Sequence, residues 1–362
     1  MPSIFTKDDL RASVEAATGG KVTVLYTASG QPSYMNVIPQ FNLEDIDPSL
    51  GKGVHPAFIV GGVEKSELFI GTYQGIIKNG EMLSLPGVEP SGSRNIEQMT
   101  AFARANGPGW HCVTNTEYAA LALWCWKNGF LPNGNSNWGR SGDASWETAR
   151  RSDGSKPGDQ VSSGKTLTGS GPVSWRHDNT PAGISDLHGN IWAWTPGFRS
   201  INGELQIVAN NDAAMNHIDL GVNSAAWKAI DGETGQLITP TYSGSLANND
   251  YVPTTPRSVR IARSGTDAYT LVRTNSGFDG LSNPGTPPVS DAALAVLKQY
   301  CLFPIVKGVF GNHGLWTNLE GEAMVMRGGS FSYLNSGLFA LYMSYARNYA
   351  SSNIGARPAF FI

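Results

Sequence analysis

Asp186-Leu187-His188-Gly189-Asn190-Ile191-Trp192-Ala193-Trp194 sets two of the chain's ten tryptophans one residue apart, directly behind a Gly-Asn pair. The rest of the chain has the same character. Glycine occurs 43 times in 362 residues, above its usual share of about 7%. With 21 prolines and 10 tryptophans, this composition describes loops ordered by aromatic packing and not a helical bundle. Charged residues make up 15%, against roughly 25% in soluble domains. The net charge of −3 provides no basic field for a phosphate backbone, so nucleic acid is not an expected partner. The length allows one large domain or two.

Cys112, Cys125 and Cys301 are too few and too scattered for a disulfide framework and read as small buried apolar residues. The N-terminus lacks the basic start and apolar run of a signal peptide, and no apolar stretch is long enough to span a membrane. The expectation is a chain made and folded in the cytoplasm, with a virion as the vehicle if it acts outside a cell.

Residues 1–53 read as a small αββ unit. Thr6 is the expected cap of a helix with Leu10, Val14 and Ala17 on one face, ended by Gly19-Gly20. Strands at Val22–Tyr26 and Tyr34–Pro39 follow, around Ser29-Gly30-Gln31-Pro32. A unit this small has little core of its own and reads as an attachment or oligomerisation element, or as a piece packed on its neighbour. Residues 54–362 then form the main domain. Helices are expected at Asn95–Asn106, with Ile96, Met99, Phe102 and Ala103 apolar, and at Asn115–Lys127, capped by Asn115 or Thr114. The long Gly/Ser/Asn-rich stretch from Asn128 to Thr180 has to pack as ordered loops around Trp138, Trp146 and Trp175. Residues from about 200 to 288 read as an insertion, a surface lobe.

Five ordered segments resemble the formylglycine-generating enzyme family, which has a C-type-lectin-like fold. They are Phe69-Ile70-Gly71-Thr72-Tyr73, the helix entry Gly109 to Ala122, the Asp186–Trp194 run (similar to D-L-x-G-N-V-W-E-W), Arg327-Gly328-Gly329-Ser330-Phe331, and Asn353-Ile354-Gly355-Ala356-Arg357. The resemblance implies an α+β, loop-rich fold of that type. Shared fold does not imply shared chemistry. The family's oxidases use a cysteine pair between the last two motifs, and here Phe331 to Asn353 holds no cysteine. The six histidines show no H-x-H or i,i+4 pairing of the kind the non-haem iron relatives would need. Ala193 stands where some relatives have an acid that helps hold a structural calcium, so that calcium is the one ion the resemblance leaves open here, and no other cofactor or metal is expected. A metal-dependent oxidase is the alternative reading.

The segment at about 327–357 has another character. Between Ser330 and Ser352 lie six serines and four tyrosines, and Arg347 is the single charge between Gly328 and Ala356. Tyrosine gives rigid contact area and serine adaptable hydrogen bonds, the composition of antibody-like binding surfaces. Phe339, Leu341 and Met343 alternate with Ala340, Tyr342 and Ser344, so the first set is expected in the core and the second facing out. The segment resembles the variable C-terminus of diversity-generating retroelement proteins, with Ser or Tyr at most positions where the template has Asn. Adenine-directed mutagenesis makes either change from an Asn codon with one base.

The expected ligand-binding residues are Ser330, Ser332, Tyr333, Leu334, Tyr342, Ser344, Tyr345, Tyr349, Ser351 and Ser352. The reading is a non-catalytic phage tail-associated protein that binds a host cell-surface receptor, protein or glycan, alongside other tail proteins. A homo-oligomer, such as a trimer, would multiply weak single-site binding. A bacterial surface-displayed variable protein is the second alternative.

Overall fold

The computed structural model describes residues 8–245 and 251–362. Two sheets organise them into an α+β fold rich in loops. The first is antiparallel throughout, in the order Val22–Tyr26, Pro32–Pro39, Glu67–Gly71, Pro358–Phe360 and Trp110–Cys112. The second has 11 strands. At its centre the Trp192–Ile201 strand pairs with Glu204–Val208 on one side and Glu322–Gly328 on the other, and Gly337–Tyr345 follows next to Glu322–Gly328.

The first sheet overturns the division at residue 53. Val37 and Ile38 are register partners of Phe69 and Leu68, so the early strands continue a sheet that the C-terminal strand completes. Leu43, Ile46 and Leu50 enter the main core cluster beside Tyr118 and Leu121. Two short strands have too little apolar surface for a core of their own, and burial against the larger body supplies it. The helix before them, Asp9–Thr18, is capped by Asp8, whose Oδ1 accepts from the Arg11 amide at 2.9 Å. The expected cap Thr6 lies outside the described residues. Nor is the expected apolar face buried: Leu10 and Ala17 are exposed and Arg11 is buried, since the helix meets its strand through the Glu15–Thr23 hydrogen bond at 2.7 Å.

The other helices follow their caps. Ile96–Arg104 starts behind Asn95, whose side chain accepts from Gln98 N at 2.9 Å, and buries Ile96, Met99 and Ala103. Asn115–Lys127 starts behind Thr114 in a reciprocal capping box with Glu117. It is buried almost all round from Asn115 to Leu123, as befits a helix inside the body and not on its surface.

The described part of residues 200–288 does not form a separate lobe. The strands Glu204–Val208, Trp227–Ile230, Arg260–Ala262, Thr270–Arg273 and Leu281–Ser282 extend the large sheet, and Leu205, Ile207, Ile230 and Leu271 join the main core. The Asn128–Thr180 stretch is loop with isolated bridges and one short 3-10 turn at Val173–Trp175. A buried guanidinium helps order it: Arg151 donates to the carbonyls of Trp138, Asp159, Val161 and Ser163. Trp175 is buried and Trp138 half-buried, as expected of tryptophans that order loops, but Trp146 is not. No helix among the described residues is long and apolar enough to cross a membrane.

Candidate binding surface

The segment that begins at Arg327 is fixed from outside itself. Arg327 is completely buried; its Nε and NH2 both reach Asn115 Oδ1, at 2.9 and 2.8 Å, and NH2 also meets the carbonyls of Tyr300 and Cys301. Two glycines follow. Gly329 has φ +94°, and a Cβ there would lie 1.9 Å from Ser336 Oγ, so only glycine lets the chain double back. The resulting turn is closed by Tyr333 N to Ser330 O at 3.1 Å and Ser336 N to Tyr333 O at 2.9 Å.

The Asp186–Trp194 run supports this turn from below. Phe331 N donates to Asn190 O at 2.9 Å. Asn190 sits at φ +64°, and its side chain bonds Thr166 N, Thr166 O and Gln74 Oε1. Gly189 passes so close to Asn135 that a Cβ would lie 2.2 Å from its carbonyl oxygen. The Gly-Asn pair is thus a buried polar bracket. Its hydrogen bonds leave no buried amide or carbonyl of the bracket to hold the loop in a second arrangement.

Alternation in the Gly337–Tyr345 strand sorts side chains between two buried clusters, not between core and solvent. Phe339, Leu341 and Met343 enter the main core, while Ala340 and Tyr342 face a second cluster with Trp192, Trp194 and Met326. Tyr342 is only 8% exposed, contrary to expectation. Trp316, on the parallel Leu315–Thr317 strand, stacks over it at 5.2 Å between centroids, and Trp192 meets it edge-on at 5.2 Å. Ser330 is also buried, its Oγ accepting from Asn353 Nδ2 at 3.3 Å. Both are therefore parts of the frame.

The remaining expected residues lie nearer the surface. Ser332, Tyr333, Ser344, Tyr345, Tyr349 and Ser351 are half-buried, and Leu334 and Ser352 exposed. Their rings form one continuous run. Tyr333 contacts Trp192 and Trp316 at 5.6 and 5.7 Å; Tyr342 stacks on Tyr345 at 5.1 Å; Tyr345 stacks on Tyr349 at 3.6 Å. The last contact needs the chain to fold back after the strand, which it does through Tyr349 N to Ala346 O at 3.0 Å. Burial pushes the phenols of Tyr342 and Tyr333 up; Tyr349 is raised first by its hydrogen bond to Tyr345 and then by burial, so these hydroxyls are uncharged at neutral pH.

The one charged residue between Gly328 and Ala356 is turned inward. Arg347 is bonded to Glu322, Glu97 and the Leu220 carbonyl. The outward-facing part is therefore aromatic, hydroxylic and neutral.

Sequence reasoning missed one residue on a loop that touches this surface. Trp146 is 80% exposed, in the Ala144–Glu147 turn of a loop that closes through Ser141 N to Glu147 O at 3.1 Å. Glu147 is itself held by Trp175 Nε1 and Asn133 Nδ2. The loop touches the segment: a Cβ on Gly142 would lie 3.1 Å from Leu334 Cδ2, and Leu334 is 60% exposed. Only exposure separates Trp146 from the loop's other tryptophans, and exposure is not written in composition.

The groups that redox or metal chemistry would use lie elsewhere. All three cysteines are free and buried, and burial pushes Cys112 and Cys301 up to about 12 and Cys125 higher still, which keeps them thiols. Among the described residues, no group of three or more His, Cys, Asp or Glu side chains is placed to hold a metal ion. Comparison of the sequence with models of protein families and with curated proteins gives no match.

Proposed function

We propose that the chain is a non-catalytic binding protein of C-type-lectin-like fold, related to the formylglycine-generating enzymes in architecture. On this reading it is a phage tail-associated protein, and the surface from Ser332 to Ser352, varied by a retroelement, contacts a receptor on the host cell. The observation that carries the reading is the division of labour within residues 327–357. Arg327, Gly329, Ser330, Ser336 and Tyr342 are buried, with Arg327 bonded to Asn115, Tyr300 and Cys301 of the body, whereas Ser332, Tyr333, Leu334, Ser344, Tyr345, Tyr349, Ser351 and Ser352 reach the surface. A backbone fixed by residues outside the segment tolerates exchange of outward side chains, which is what a diversified binder requires.

The ring run supports contact with a neutral partner surface. Half-buried, mutually stacked tyrosines are already ordered, so little side-chain entropy is lost on binding. The oxidase alternative has no support at its own positions, because the segment carries no thiol and the three cysteines are buried outside it.

The test is adsorption of the purified chain to a panel of bacterial strains, with a Tyr345→Ala/Tyr349→Ala variant beside it. The reading expects wild-type binding to at least one strain and its loss in a variant that melts at nearly the same temperature. Equal binding by both proteins would refute it. For the retroelement, the DNA downstream of the gene should hold a near-copy of the 3′ end with adenines at these Ser and Tyr codons, beside a reverse transcriptase gene.

A further inference from the structure

Below the binding segment, Arg327 lies opposite Ala193 in the register of the Glu322–Gly328 and Trp192–Ile201 strands. Two-residue spacing places Thr195 on the same face as Ala193. All three line a small cavity of about 10 Å³, roughly the room one water-sized occupant needs. Two polar atoms of buried residues in its wall have no hydrogen-bond partner, Arg327 NH1 and Thr195 Oγ1. The first is only a donor and the second can donate, so an occupant of the cavity that bonded both would accept from Arg327 and could accept from Thr195.

Charge distinguishes the occupants that could accept. The remaining bonds of Arg327 go to neutral oxygens, those of Asn115, Tyr300 and Cys301. Arg357 also lines the cavity and is fully buried in the body, donating to the carbonyls of Gly71, Ser185 and Asp186. The one acid in the wall is Asp186, whose Oδ2 accepts from Gly169 N. Two buried cations thus face one carboxylate. Burial pushes each guanidinium down to about 10. A buried charge without a counter-charge is strongly disfavoured, and a neutral water satisfies the donors but not the charge.

The geometry points to a buried anion site, in which one halide-sized anion such as chloride accepts hydrogen bonds from Arg327 NH1 and Thr195 Oγ1. The anion neutralises the cation that launches the binding segment and ties the two strands beneath it. The frame is thereby held from below, whatever side chains stand above. This site does not depend on the receptor-binding reading, and neither test bears on the other.

The experiment is thermal melting of the full chain in sodium chloride, sodium bromide and sodium gluconate at matched ionic strength. The site predicts a Tm that rises with the logarithm of halide concentration and stays flat in gluconate. A crystal soaked in bromide should show an anomalous peak between Arg327 and Thr195. Thr195→Val should weaken the apparent halide affinity by about tenfold or more, the worth of a hydrogen bond to a charged group. Ala193→Asp, which supplies a carboxylate from the protein, should abolish the halide response. Identical melting in chloride and gluconate overturns the site, as does a bromide-soaked crystal without signal in the cavity. A Thr195→Val variant that responds to halide like the wild type also overturns it, since the ion then acts elsewhere.

Discussion

Arg347 and Glu322 form a two-pronged ion pair, Nε to Oε2 and NH2 to Oε1, each at 2.7 Å, and the same carboxylate takes Arg199 NH1 at 2.8 Å. The pair fastens the turn that brings Tyr349 onto Tyr345. Although burial opposes ionisation of Glu322, the two guanidiniums hold its carboxyl below the usual range. Glu322→Ala leaves the buried Arg199 without its acid and Arg347 with only the exposed Glu97, which should cost about 3 kcal/mol in urea unfolding. Arg347→Ala should cost less, since Arg199 still neutralises the acid. A Glu322→Ala variant with a wild-type urea midpoint would show that the pair holds nothing in place.

The tyrosines should separate by depth. Tyr342→Ala opens a cavity among Trp192, Trp316 and Tyr345 and should destabilise by about 3 kcal/mol, as large aromatic truncations in cores do. Tyr349→Ala removes only the outer ring of the run and should shift stability by less than about 1 kcal/mol. Equal losses in chemical denaturation would mean that the run is not graded from core to surface.

Trp146 should behave as a contact and not as a support. Since it is 80% exposed, Trp146→Ala is expected to leave the melting temperature unchanged. If the surface beside Leu334 meets the target, adsorption should fall by roughly tenfold or more, the usual effect of losing an aromatic anchor. Adsorption equal to wild type would confine the contact to the segment itself.

Acid should weaken the fold before its carboxylates titrate. Burial lowers His55 and His177 to about 4 and His313 to about 3. A histidine with a depressed native pKa binds fewer protons than it does in the unfolded chain. Its stabilisation is complete above the ordinary value, about 6.5, and is lost progressively as pH falls toward 4. The contribution of Glu322 has the same sign but a lower window, below about 4.5. Urea midpoints should therefore be level above pH 7 and fall between pH 6.5 and 4. A midpoint unchanged from pH 7 to pH 5 would contradict neutral burial of these imidazoles.

Sequence determined what is local. Caps and periodicity marked the Asn115–Lys127 helix to the residue, because Thr114 and Glu117 complete their box within one turn. Alternation separated Phe339, Leu341 and Met343 from Ala340 and Tyr342, because side-chain direction in a strand is a backbone property. The inert setting of the cysteines was legible for a similar reason: three scattered apolar-like residues pack where the core is.

Tertiary structure decided what lies across from each face. Tyr342 and Ser330 were expected outside because alternation says which residues share a side, not what covers it. The cover comes from Trp192 and Trp316, more than twenty residues away in sequence, and from Asn353. For the same reason the described residues 8–53 proved to be part of the main body, since the partner of Pro32–Pro39 is a strand whose other edge is taken by Pro358–Phe360. Burial depends on contacts between distant segments, and no local pattern of residues encodes their distance.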